Sequence, residues 1–465
     1  MRMRAALWTA VLFSIPAAWG AVPKPADWVP VRWPWQDTGS LELLRGTPVN
    51  CLLLKSYPAD FVAAASGRGL VTLAVLSPGG DVVAAARQAM AAKVTGIVMD
   101  GDFAEGASTA VEGAIGGAPL IELVSRSRLR LDSTAAIVGS WQGVWPGVAA
   151  QQDGAKTAGP TGSVWIDTNT GFLRALHAWR DATLWIGNLP PAGAVVTGSR
   201  YLQAIADAGM SGARWVVAFD PDFAQRLHAG EAAAVRDWRQ MGDLLAFFER
   251  HAEWRHMQPF GELALVQDLA KGGLLSGGIL DMIAVKHTPV RPVPLQHLTS
   301  ESLAGTSMAV DVDAASLSPE QKQILRNFTR AGGTLLTGPP GWKDEAATGN
   351  SITLNKDQLA RLDDIWRDVN SIVGRRNLGV RLFNVSTMLS NVVASAGDKT
   401  VVVELVNYSD YPVSDVTVHF LGKFQRATLL TPEGAEKPLT IYPTEDGGGV
   451  DIDRVGVCAG IRLEQ

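Results

Sequence analysis

Between Val49 and Phe219 the chain repeats one pattern eight times. A short apolar run gives way to a turn of glycine or polar residues, and often to a stretch with helical spacing. The runs are VNCLLL from Val49, LVTLAVL from Leu70, VTGIVM from Val94, PLIELV from Pro119, AAIVGSW from Ala135, SVWID from Ser163, TLWIG from Thr183 and RWVVAF from Arg214. Short, continuous, β-branched runs of this kind describe strands buried on both faces. Intervening segments such as VVAAARQAMAAK, GFLRALHAWR and YLQAIADAGM carry apolar residues at helical spacing. Eight strand–helix units fit a (β/α)8 TIM barrel over residues 49–258. An open doubly wound sheet is the rival, and the count of eight favours the barrel.

Two further units follow. In 259–350, GELALVQDL, PVRPVPL, TSMAVDVDA and GTLLTGPPG are strand-like. SPEQKQILRNFTRAGG reads as a capped helix, with Ser318 as N-cap, Pro319 in the first helical position and Gly332 at the stop. Strand, helix, strand implies a small parallel, flavodoxin-like α/β domain. A helical connector, 351–383, contains DQLARLDDIWRDVNSIV. From Asn384 to Gln465 the runs TVVVELVNY, VSDVTVHFLG, RATLLTPEG and VDIDRVGVCAGIRL alternate with turns and lack helical spacing, which predicts an antiparallel β-sandwich.

The first residues, MRMRAALWTAVLFSIPAAWGA, have Arg2 and Arg4 ahead of a short apolar stretch and small residues at Ala18 and Gly20. That is the layout of a signal peptide over residues 1–20, followed by an extension over 21–48, and it predicts a secreted or periplasmic protein with no membrane association after cleavage. The net charge of -5, without a run of one sign, excludes a nucleic-acid footprint. Cys51 and Cys458, the only cysteines, each sit in an apolar run and read as small buried hydrophobes, with a bridge between them left open. The seven histidines show no ligand spacing, so neither a metal nor a cofactor is expected. Three sequons, at Asn327, Asn384 and Asn407, carry no weight in a composition this rich in alanine and glycine, which points to a bacterial source.

Active sites of barrels lie at the C-terminal ends of the strands. The predicted strands end at Lys55, at Asp100-Gly101-Asp102, at Ser125-Arg126 after Glu122, at Trp141-Gln142-Gly143-Val144-Trp145, at Asp167-Thr168-Asn169, at Gly187-Asn188 and at Asp220. Indoles beside carboxylates and amides suit a polyhydroxylated ring: C–H faces stack on indole while hydroxyls bond to polar groups. Trp141, Gln142, Trp145, Asn169, Arg126, Asn188 and Lys55 are therefore the candidate ligand-binding residues for a carbohydrate. Glycoside hydrolysis needs two carboxyl groups across the bond. Glu122, Asp100 and Asp167 are the candidates, with Glu122 as an acid raised by burial inside the barrel and Asp100 or Asp167 as base or stabiliser. Each also has a structural reading: Glu122 in an ion pair with Arg126 or Arg128, Asp167 as a helix N-cap, Asp100 as a turn former.

The order of domains resembles the three-domain plan of family 42 β-galactosidases. The stretches carrying the resemblance are AVDVDAASLSPEQKQILRNFTRAGGTLLTGPPGW and VELVNYSDYPVSDVTVHFLGKFQRATLLTPEG. It implies an exported glycoside-hydrolase-like protein that oligomerises through its middle domain. That family carries an Asn-Glu pair after strand four and a Glu after strand seven. Here Ile121 precedes Glu122 and the seventh run ends in Gly187-Asn188, so the family's catalytic pair does not map onto this chain. A non-catalytic glycan-binding or scaffold protein is the alternative expectation.

Overall fold

The computed structural model describes residues 23–147, 169–268, 288–312, 314, 316–337, 364, 367–374 and 376–465. Eight parallel strands form one sheet in sequence order: β1 (Pro30–Arg32), β2 (Cys51–Leu54), β3 (Val71–Leu76), β4 (Gly96–Asp100), β5 (Leu120–Val124), β6 (Ile137–Ser140), β7 (Thr183–Ile186) and β8 (Ala213–Trp215). A parallel bridge between Val31 and Val217, with Arg32 N–H donating to the Val217 carbonyl at 2.7 Å, joins the last strand to the first. The sheet is thus a barrel, as the repeat predicts.

The eighth strand has a different source from the one read in sequence. Pro30–Arg32 belongs to the stretch read as an extension ahead of the barrel. The SVWID run, 163–167, lies outside the described residues, as do the signal-like residues 1–20.

Side-chain alternation divides the barrel wall into two cores. Cys51, Leu53, Val71, Leu73, Val75, Val98, Ile121, Leu123, Ile137, Trp185 and Val216 pack together inside, with Trp28 closing the bottom. Their neighbours Leu52, Leu54, Ala74, Leu76, Ile97, Met99, Leu184, Ile186 and Trp215 pack outward against the helices. These are α1 (Ala59–Ser66), α2 (Val82–Ala91), α3 (Ala107–Ala114), α4 (Thr170–Trp179), α5 (Gly198–Gly209), α6 (Pro221–His228) and α7 (Ala232–Arg250). Between β5 and β6 the chain makes only a 3₁₀ turn, Arg126–Arg128, so no helix covers that part of the wall in sequence order.

Leaving the barrel, the chain runs through β9 (Gln258–Pro259) into β10 (Leu263–Gln267), β11 (Arg291–Pro294), β12 (Met308–Asp311) and β13 (Thr334–Thr337). β10 to β13 form a parallel sheet in the order β11-β10-β12-β13, the flavodoxin-like arrangement. Helix α8 (Pro319–Arg330) connects β12 to β13. Its start is as the sequence reads: Ser318 and Gln321 form a capping box and Pro319 occupies the first position. Gly332 adopts φ +98°, a conformation that stops the helix cheaply only at glycine.

The last unit is a sandwich of two antiparallel sheets. One is β14 (Val380–Phe383), β17 (Val413–Leu421), β21 (Gly447–Val455) and β20 (Tyr442–Pro443). The other comprises β19 (Lys437–Leu439), β18 (Arg426–Leu430), β22 (Cys458–Glu464), β16 (Thr400–Asn407), β15 (Met388–Ala394) and β9. β15 and β16 are buried on both faces. Val392, Val401, Val403 and Leu405 enter the sandwich core, while Leu389, Val393, Val402 and Val406 join the core of the barrel's helical layer. That double burial is why VVVELV reads as one apolar run. Cys51 and Cys458 are both free and buried, in different cores, and burial pushes both thiols up.

Candidate functional site

The top layer of the barrel interior is set by the strand register. Arg32, Asp100, Trp141 and Gly187 continue the inward-facing positions of β1, β4, β6 and β7 past their apolar residues. Arg32 grips Asp100 with both terminal nitrogens, Nη1 to Oδ2 at 2.7 Å and Nη2 to Oδ1 at 3.1 Å. Nη2 also donates to the Gly187 carbonyl at 2.5 Å. A two-pronged guanidinium–carboxylate pair of this kind is rigid and directional. A Cβ at Gly187 would lie 2.7 Å from Leu123 Cδ1, so a larger residue there would have to displace that buried side chain.

Trp141 packs on the interior cluster and keeps part of its ring exposed. Its Nε1 faces Asp102 Oδ1 at 3.4 Å, and the same oxygen accepts the Ser125 N–H at 2.8 Å. Indole, Asp102 and the Arg32–Asp100 pair thus stand together at the C-terminal mouth. Lys55 is exposed where β2 ends, on the same rim. A second indole, Trp35, follows β1 at this end of the barrel. It stacks on His228 with centroids 5.4 Å apart, and His228 Nε2 lies 2.9 Å from Asp37 Oδ2.

Glu122 is not inside the barrel. Ile121 and Leu123 face the interior, so alternation turns Glu122 to the outer wall, where it bonds to Ser108 of α3 and to Arg130 Nη2 at 2.5 Å. There it lines a groove of about 570 Å³ with Arg128, Arg130 and Asp132. The ion-pair reading of Glu122 is the correct one in kind, with Arg130 as partner in place of Arg126 or Arg128. The physical reason is the missing helix after β5. An outer wall left part-open can hold a solvated carboxylate, whereas the interior at this level is packed with aliphatic side chains.

Trp145 is likewise no ligand platform. It is 3% exposed, donates Nε1 to the Leu189 carbonyl at 2.9 Å, and meets Trp215 and Tyr201 edge-on. Gln142, Arg126 and Asn169 form a brace beneath the loop that follows β6. Gln142 Oε1 accepts the Arg126 N–H at 2.9 Å, Arg126 Nη2 donates to Asn169 Oδ1 at 3.1 Å, and the guanidinium lies 3.9 Å above the Phe172 ring. Asn169 is fully buried and clamps Val144 through both its N–H and its carbonyl. These three hold the mouth loop in place, with Gln142 and Asn169 buried beneath it and Arg126 half-buried. Asn188 is buried against Gly143 of the same loop. Asp220 caps α6 and accepts the Tyr201 hydroxyl at 2.7 Å. Asp167 lies outside the described residues.

The sequence missed Arg32 as a mouth residue, and it placed Asp102 at the mouth without making it a candidate. Arg32 hides in PVR, a strand too short to register; Asp102 was visible only as half of a turn. No group of three or more metal-ligating side chains occurs among the described residues.

No known family model matches the chain, and no curated protein does either. Solved structures do. α-L-Fucosidase isoenzyme 2 from Paenibacillus thiaminolyticus is similar over 92% of this chain and 96% of its own, with a TM-score of 0.61 at 11% identity. At that identity the likeness is one of fold: a glycoside-hydrolase-like barrel with a C-terminal β domain. A β-galactosidase from the psychrophilic Marinomonas ef1 matches over 88% of this chain and 68% of its own, with 13% identity and a TM-score of 0.40, too slight to bear an argument.

Proposed function

We propose that this chain is an exported carbohydrate-active protein that binds a saccharide across the C-terminal mouth of its barrel. The observation that carries the reading is the half-buried Trp141 ring held beside Asp102 and the Arg32–Asp100 pair. An indole face takes the C–H side of a pyranose, and the carboxylates accept its hydroxyls. The glycoside-hydrolase-like fold supports the same reading, as does the MRMR-led apolar start for export.

Hydrolysis is the second reading, and the position of Asp100 favours it: the carboxylate ends β4, faces the axis and keeps 14% of its side chain exposed. In this reading Asp100 acts as base or stabiliser. The acid has to be a residue other than Glu122.

Calorimetry with L-fucose, D-galactose and their oligosaccharides, run beside release of p-nitrophenol from the matching glycosides, tests both readings. Binding that is lost in Trp141→Ala supports the mouth site. Turnover lost in Asp100→Asn with binding retained supports hydrolysis. No heat with any of these sugars, and none with bacterial or plant polysaccharides, sinks the proposal. Mass spectrometry of secreted protein checks export, with a mature N-terminus near Ala21 expected.

A further inference from the structure

We propose that Tyr411, on the loop that crosses from β16 in one sheet of the sandwich to β17 in the other, is a stacking platform for an outer ring of an oligosaccharide whose first ring occupies the barrel mouth. The proposal rests on the saccharide-binding reading of that mouth and extends it to a second domain.

Four large apolar side chains are prominently exposed among the described residues: Leu189, Val195, Ile372 and Tyr411. Scattered single cases need no explanation. Three of these four lie on loops that meet the start of α5. Leu189 and Val195 lie on the loop from β7 to α5, at the mouth end of the barrel. Tyr411 belongs to the β16–β17 loop, which is fastened to the first turns of α5.

The fastening is extensive. Arg200, in the first turn of α5, donates Nη2 to Asp410 Oδ2 at 3.1 Å and Nη1 to the Tyr408 carbonyl at 3.4 Å. Gln203 Nε2 donates to the Ser409 carbonyl at 2.9 Å. Tyr408 points the opposite way from Tyr411, into the barrel's helical layer, where its hydroxyl donates to Asp207 Oδ1 at 2.5 Å. Within the loop, Asn407 Nδ2 and Ser409 Oγ both donate to the Tyr411 carbonyl, at 2.8 and 2.5 Å.

The same guanidinium reaches the mouth loop. Gly147, seven residues after β6, sits directly against Arg200, and a Cβ there would collide with Nη1, Cζ and Nε. Its φ of +72° is a second reason for glycine. Arg200 therefore packs between the loop that carries Trp141 and the loop that carries Tyr411. A tyrosine 66% exposed on a turn whose backbone is this firmly tied is presented, not loose. A rigid, amphipathic ring with little conformational entropy left to lose is what stacking on a sugar requires.

The experiment is calorimetry on the full chain with L-fucose against 2′-fucosyllactose and D-galactose against β-1,4-galactotetraose. Tyr411→Ala is expected to bind the monosaccharide like wild type and the oligosaccharide about five- to tenfold more weakly, the size of one lost stacking contact. Tyr411→Phe, which keeps the ring, is expected to restore the affinity. Trp141→Ala is expected to weaken both ligands. Oligosaccharide affinity unchanged in Tyr411→Ala while Trp141→Ala loses both ligands overturns the platform and leaves the mouth reading standing. Failure of wild type to bind any of the four sugars removes the mouth reading and the platform with it.

Discussion

Arg32 and Asp100 tie the first barrel strand to the fourth across the barrel axis, with Nη1–Oδ2 at 2.7 Å and Nη2–Oδ1 at 3.1 Å. The arginine side chain is 9% exposed and the aspartate 14%. Removing one partner of such a pair strands the other in a poorly hydrated place, at a cost of about 3–5 kcal/mol. Asp100→Ala and Arg32→Ala are each expected to lose that much in urea unfolding followed by circular dichroism. Arg32→Met combined with Asp100→Leu is expected to lose less than either single change, because apolar replacement leaves no unpaired charge. Two single variants within about 1 kcal/mol of wild type would show that the pair is solvated and contributes little.

The two tryptophans of the mouth loop separate into different roles. Trp145 fills the helical layer, so Trp145→Ala is expected to cost about 3–5 kcal/mol through the cavity it leaves. Trp141 is part-exposed, so Trp141→Ala costs less stability and its main effect falls on saccharide affinity. Thermal melts paired with calorimetry check this; the reverse order of stability losses contradicts the assignment.

Glu122 provides a negative control. It sits on the outer wall with Arg130, whose side chain is 61% exposed, and pairs this open contribute at most about 1 kcal/mol. Glu122→Gln is expected to leave sugar affinity and any turnover at the wild-type level. A tenfold fall in turnover would mean that this carboxylate does reach the reacting bond.

The barrel was legible in the chain because its strands are buried on both faces and so appear as unbroken apolar runs. Seven of the runs are strands of the barrel. The eighth, PVR, escaped notice because it has three residues, begins with proline and ends in an inward arginine. The direction of Glu122 was a different kind of error. Period-two alternation correctly opposes it to Ile121 and Leu123, but alternation alone does not say which face is inside. The deciding signal was present: residues 125–136 have no helical spacing, so the outer wall beside β5 had no helix to bury it. The bracing roles of Gln142, Arg126 and Asn169 depend on contacts between segments far apart in sequence, which no local pattern encodes.

Glu404 makes the junction between barrel and sandwich sensitive to pH. It projects from β16 toward the barrel, is 3% exposed, and accepts Asn391 Nδ2 at 2.8 Å, while Asn391 also donates to the Met210 carbonyl. Arg174, His177 and Arg255 line the same small cavity. Burial pushes the Glu404 carboxyl up to about 8, against the opposing pull of Asn391 and Arg174. The folded chain therefore holds a proton between roughly pH 4.5 and 8 that the unfolded chain has already released. Stability from this group is complete below about pH 4.5, falls by up to about 1.4 kcal/mol per pH unit as pH rises, and levels off above about 8. Asp207, also raised by burial, shifts stability in the same direction above its ordinary value. His177 opposes it below its ordinary value of 6.5, because burial lowers its pKa and charging it costs stability. The difference between wild type and Glu404→Gln isolates the Glu404 part, since both chains keep Asp207 and His177. Urea midpoints measured from pH 5 to 8 are expected to fall more steeply for wild type than for Glu404→Gln. Parallel curves for the two chains would mean that Glu404 is ionised in the folded protein and that the junction is held by charge.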